Sequence, residues 1–216
     1  MNLFEVISAA GWPIYPLMLC SILALAFIIE RAVNLRAEKI VPANLVDEAI
    51  AVSRTAVPSG EILQQLEQNS LLGEVLANGM RQIAANPRIS QDELRAAMEV
   101  TGRSVSHRME KFLTALGTIS ALGPLFGLLG TVVGMIEIFG SQGGSGGVGA
   151  GVGNTNPAQL AHGISVALYN TAFGLIVAIP SLIFWRYFRG RVDAYLLTME
   201  LAGERFVRHL ARLRRP

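Results

Sequence analysis

The sequence predicts an all-helical integral membrane protein, with three transmembrane helices and long helical extensions on one side. Three observations predict it. The stretch from Leu113 to Phe139 is apolar for more than the roughly 20 residues that cross a bilayer core as a helix, and two further apolar runs flank it in the chain. Only 16% of residues are charged, against about a quarter in soluble domains, and the mean hydropathy is +0.44. No strand-like alternation interrupts the helical periodicity. A soluble bundle with buried core helices is the competing class, but it leaves the sorting of charge described below without a cause.

Residues 1–10 carry one charge, Glu5, and no basic cluster, which argues against a cleaved secretory signal. Leu3, Phe4 and Ile7 suit an interfacial turn. The first span covers 11–31. Trp12 and Tyr15 stand at its start, where an aromatic belt belongs. Pro13 and Pro16 fall in the first turn, where a missing N–H costs little. The single cysteine, Cys20, lies within this run and reads as a reduced core thiol, one cysteine giving no disulfide framework within a chain.

Residues 32–111 form a polar helical lobe. Leu45, Ala49 and Val52 share one helical face. Ile62, Leu66 and Leu71 suggest another helix, and Val75, Leu76, Met80 and Ile83 follow before the break at Asn86-Pro87. Ser90-Gln91-Asp92-Glu93 reads as a capping box. From there one helix runs through Leu94, Met98, Val105 and Met109 into the second span with no stop signal. The lobe is too thin to bury a good core alone, so the long membrane helices and neighbouring subunits are its expected support.

The second span covers 112–139. Ser120, Pro124, Gly127, Thr131 and Gly134 recur at steps of three or four, which gathers them on one stripe. Small residues let helices approach closely in lipid. Glu137 is the only acid in the second or third span, and an ionisable group at membrane depth is a functional candidate. Its place near the outer end also lets it reach the headgroups. Residues 140–157 form a Gly-rich outer loop, flexible by composition. No Lys-Ser/Thr follows these glycines and no strand precedes them, so they do not read as a nucleotide loop.

The third span covers 158–186. Ala167, Thr171, Gly174, Ala178 and Ser181 share a stripe, and Ser165, Tyr169 and Asn170 add polar groups at membrane depth. Pro180 reads as a kink. Residues 187–216 form a basic amphipathic helix, with Val192, Tyr195, Leu196, Met199 and Phe206 on its apolar face; its arginines suit anionic lipid headgroups.

Charge sets the topology. All 18 basic residues lie in 31–111 or 186–215, and the segments before residue 12 and from 140 to 161 hold none. With three spans, the positive-inside rule puts the amino terminus and the Gly-rich loop outside, the lobe and basic tail in the cytoplasm. Nothing suggests an enzyme or a nucleic-acid partner. His107, His162 and His209 are far apart in sequence with no metal-ligand neighbour, and no activated nucleophile appears.

At residue level, Leu116-Gly-Thr-Ile-Ser-Ala-Leu-Gly-Pro-Leu-Phe-Gly-Leu-Leu-Gly-Thr-Val-Val-Gly-Met135, Asn170-Thr-Ala-Phe-Gly-Leu175, Ala178-Ile-Pro180, Trp12-Pro-Ile-Tyr-Pro-Leu17 and Ile29-Glu-Arg31 resemble the MotA/TolQ/ExbB proton-channel family. Three spans resemble its ExbB/TolQ branch. The resemblance implies a ring-shaped homopentamer in the bacterial inner membrane, its second and third helices lining a central pore. It implies an ExbD- or TolR-like single-span partner in that pore, whose transmembrane aspartate carries the proton, and a TonB- or TolA-like protein beyond. No cofactor is implied, the proton being the transported ion. Thr131 and Thr171 match the family's pore-lining threonines, Pro124 and Gly127 its Pro-x-x-Gly. Val166 stands where ExbB and TolQ commonly have a glutamate, so the proton site passes to the partner's acid or to Glu137. The resemblance implies conversion of the proton motive force into mechanical work on the envelope. A charged acid at mid-membrane is costly, so the hydroxyls of Thr131 and Thr171 are expected to donate to the partner acid's ionised form. A non-transducing scaffold is the alternative; a secondary transporter would want internal repeats, and none appears.

Overall fold

The computed structural model describes residues 11–55, 60–143 and 157–213. The interfacial turn expected from Leu3, Phe4 and Ile7, and the Gly-rich loop after Gly143, lie outside the described residues. In chain order the described helices are α1 (Ile14–Asn34), α2 (Ala37–Ile40), α3 (Leu45–Thr55), α4 (Gly60–Asn69), α5 (Leu71–Ala85), α6 (Gln91–Gly143) and α7 (Pro157–Leu213). Among the described residues there is no strand, and three helices are long and apolar enough to cross a membrane.

Local chemistry sets most of the boundaries. Gly11 takes a φ of 72°, a left-handed turn that a side chain would disfavour, and the chain enters α1 through Pro13. α1 runs to Asn34, past the Glu30-Arg31 stop expected from charge. The one-helix reading of Ile62, Leu66 and Leu71 is corrected: Ser70 breaks the run and caps α5, its hydroxyl accepting from the Gly73 N–H at 3.0 Å, so Leu71 opens the next helix. Val52 and Ile62 are exposed, and Leu63 is the buried residue of α4. α6 is unbroken over 53 residues and α7 over 57, with Pro124 and Pro180 inside them. α6 also continues to Gly143, beyond the Gly140 at which the loop was expected to start.

The capping box at the start of α6 is formed as the sequence predicts. The Ser90 hydroxyl accepts from the Glu93 N–H at 3.1 Å, and the Glu93 carboxylate accepts from the Ser90 N–H at 2.9 Å. That backbone bond, with the Ser90 side chain, holds the Glu93 carboxyl below the usual carboxylate range. A carboxyl lowered by folding stabilises the fold above its unfolded pKa, and the contribution is lost as pH falls through the lowered value. Ser90→Ala is expected to cost about 1 kcal/mol in denaturant unfolding followed by circular dichroism, the deficit shrinking under acid as Glu93 protonates.

The chain packs as two units: Glu30–Leu113 with Tyr187–Pro216, and Met1–Ile29 with Thr114–Arg186. The first holds the more polar sequence. Its core joins Leu72, Leu76 and Met80 of α5 to Leu94, Met98, Val105 and Met109 of α6, and to Val192, Met199, Phe206 and Val207 of α7, all buried. The basic tail thus supplies core that the lobe alone lacks. Arg189–Glu110 (3.1 Å), Arg95–Glu204 (2.5 Å) and Arg205–Asp47 (2.7 Å) pair tail with lobe, but all are substantially exposed, and such pairs contribute about 0–1 kcal/mol each. Arg31 differs in being buried. Its guanidinium donates to the Met109 carbonyl at 2.7 Å and to Glu30 at 2.6 Å, and stacks 4.8 Å from the Phe112 ring centre.

In the second unit, α1 buries a narrow stripe of Ile14, Leu17 and Ala24, while Trp12, Tyr15, Leu19, Ile22 and Leu25 are exposed. α6 likewise exposes Leu125, Leu128, Val132 and Ile136, and α7 exposes Leu168, Ile176, Ile179 and Ile183. Apolar surface on this scale fits acyl chains or further protein rather than water.

Candidate functional site: the close-packed α6–α7 pair

Within the second unit, glycines bring α6 and α7 into backbone contact. A Cβ added at Gly174 would lie 2.5 Å from the Gly123 carbonyl oxygen and 3.1 Å from the Gly127 Cα. One added at Gly127 would lie 3.0 Å from the Asn170 carbonyl oxygen and from the Thr171 Cα. Gly130 leaves the notch that Asn170 fills, its added Cβ falling 2.6 Å from the Asn170 Cβ, and Gly134 faces Ala167 at 3.4 Å. In lipid, where burial against a neighbour removes no water, such close approach is what holds helices together.

This contact divides the residues singled out in the sequence. Gly127, Gly134, Ala167, Asn170, Gly174 and Ala178 lie along the α6–α7 seam; Ala167 and Asn170 are 3% and 1% exposed. Their placement is packing within one protomer. Gly123, Gly130 and Gly117 belong to the same seam, Gly117 seating the Trp185 indole; they were not among the stripe residues singled out in the sequence, because which glycines form a seam depends on the facing helix. Ser120, Pro124 and Thr131 are half-buried on the adjoining face of α6, and Thr131 borders an open apolar depression with Val132, Met135, Ile136 and Phe139. Ser165 is exposed, and at 100° per residue stands on the far side of α7 from Ala167. Tyr169 is half-buried; Pro180 and Glu137 are exposed. The side chains of His162 and Val166 lie outside the described residues.

Thr131 and Thr171 meet at one carbonyl. The Thr171 hydroxyl donates to the Gly127 carbonyl oxygen at 3.3 Å. In an α-helix that same oxygen accepts the N–H four residues on, which is that of Thr131. The Thr131 hydroxyl donates to the Leu128 carbonyl at 2.7 Å. The sequence reading has these hydroxyls as donors to an ionised acid; in this structure both hydrogens go to backbone carbonyls instead. Among the described residues no group of His, Cys, Asp and Glu is arranged to hold a metal ion.

A model of the MotA/TolQ/ExbB proton channel family matches residues 67–201, most of the lobe and both close-packed helices. The chain belongs to that family. It is 32% identical over 202 residues to the putative biopolymer transport protein ExbB-like 3 of Synechocystis sp., covering 91% of this chain and 90% of that one. It is 29% identical over 171 residues to the biopolymer transport protein exbB1 of Vibrio cholerae, covering 79% of this chain and 72% of that one. A shorter stretch of 75 residues is 45% identical to the biopolymer transport protein ExbB of Helicobacter pylori, covering 35% and 47%. Family and apolar helices together make this a multi-pass membrane protein of the proton-channel type.

Proposed function

We propose that the chain is the channel subunit of an inner-membrane motor of the ExbB/TolQ kind. It assembles as a ring of identical copies, a pentamer by family likeness, around an ExbD- or TolR-like single-span partner. The amino terminus is periplasmic and the carboxyl terminus cytoplasmic. Proton flow drives work on the envelope, either transport of the biopolymer type named for its relatives or envelope maintenance through a TonB- or TolA-like protein.

One observation supports this most: beside the glycine seam, two threonine hydroxyls from two helices bond to adjacent carbonyls of α6, Thr171 to Gly127 and Thr131 to Leu128. Tight packing alone would be served by alanine or glycine there. An ionised acid at mid-membrane is costly, so a carboxyl on the partner alternates between a neutral form against apolar wall and a charged form where it meets water. The membrane potential supplies about 2.3 kcal/mol per charge per 100 mV.

Thr171→Val keeps shape and removes the hydroxyl. It is expected to leave the size of the purified assembly unchanged and to abolish proton-driven work, read as energised uptake or envelope integrity in cells. Full activity in that variant favours the competing scaffold reading, which the glycine seam alone would also serve.

A further inference from the structure

We infer that the Thr131–Thr171 pair selects the neutral, protonated form of the carboxylic acid that passes it, because the pair presents acceptors and no donors. The inference rests on the proton-channel reading and gives that site its sign. A carbonyl oxygen has no hydrogen to give, so the 2.7 Å contact of Thr131 with Leu128 and the 3.3 Å contact of Thr171 with Gly127 each consume the hydroxyl hydrogen. What each threonine turns outward is lone pairs. Ser120 is spent in the same way on the Gly117 carbonyl at 2.7 Å, and Ser181 on that of Val177 at 2.7 Å.

No cation offsets this. Between Lys111 and Arg186 the sequence has no lysine or arginine and one acid, Glu137. The other titratable groups on the segments of this unit are Tyr169, His162 and, at its cytoplasmic border, Arg186 on α7, Tyr15 and Cys20 on α1, and Glu5 ahead of α1 in the sequence. A carboxylate would face oxygen lone pairs; a carboxylic acid would donate its O–H to them. A hydrogen bond made only to the neutral form raises the acid's pKa. The threonines then hold the proton on the carrier as it passes the seam, and release waits until the acid reaches water.

The test uses the intact complex with its single-span partner in proteoliposomes. A hydrophobic carbodiimide reacts with protonated carboxyls, and mass spectrometry of the partner chain reads the labelled fraction against pH. Thr131→Val and Thr171→Val are each expected to move the labelling midpoint down by up to about one pH unit, tenfold in protonation, with Thr171→Ser restoring it. A midpoint that rises means the hydroxyls donate, and overturns the inference. An unmoved midpoint means they do not face the acid, and also overturns it. A wild-type partner that never labels removes the proton-channel reading itself, a result separable from a wrong sign.

Discussion

Gly174→Leu is expected to destroy the packing of the apolar unit. Even the first added carbon would sit 2.5 Å from the Gly123 carbonyl oxygen, and what it meets is backbone, which cannot swing aside as a flexible side chain does. The helices must part, and parting also lifts Asn170 from its notch at Gly130 and pulls the Thr171 hydroxyl from Gly127. Overpacking inside a close-fitted core costs about 1–3 kcal/mol or more, and separation adds the lost contacts along the seam. Thermal unfolding of the detergent-purified protein should show a large fall in midpoint, with loss of the assembly on size exclusion. Gly190→Leu on the same helix is the control. A Cβ there meets nothing within 4 Å, so its stability should be unchanged or slightly raised by leucine's better helix propensity.

Phe206→Ala is expected to be the most damaging truncation in the polar unit. Phe206 is 0% exposed, on the part of α7 that joins the core of α5 and α6. Emptying a fully buried phenylalanine site costs about 3–5 kcal/mol, lost transfer energy and residual cavity together. Denaturant unfolding should register that loss. Arg205→Ala, one residue away, removes only an exposed ion pair with Asp47 at 2.7 Å, and should change stability by less than about 1 kcal/mol. The contrast separates burial from charge as the reason the tail binds the lobe.

Much of this architecture was legible because periodicity and charge point the same way. The apolar runs marked the three long helices, and the Ser90–Glu93 box marked the start of α6. Leu94, Met98, Val105 and Met109 were readable as one buried face because helical spacing leaves few other arrangements. What escaped depends on contacts between distant residues. The Ser70 break was hidden because Ile62, Leu66 and Leu71 keep near-helical spacing across it, and the polar Glu67-Gln-Asn-Ser70 stretch suits an exposed helix face as well as a cap. The stripe on α6 looked uniform in sequence, but a helix that packs on one neighbour has a seam and a flank. Only the partner helix decides that Gly127 belongs to the first and Ser120 to the second. The direction of the two threonine hydroxyls could not be read at all, because it is fixed by carbonyls three and forty-four residues away.

The central claim is that the flank beside the glycine seam, with Thr131 and Thr171 on it, lines a path shared between protomers. Electron cryomicroscopy of the assembled complex in lipid nanodiscs tests it most directly. The account predicts that Thr131 and Thr171 of every protomer turn toward one central cavity occupied by the partner's helix. Both threonines packed against acyl chains, with no cavity common to the protomers, would contradict it.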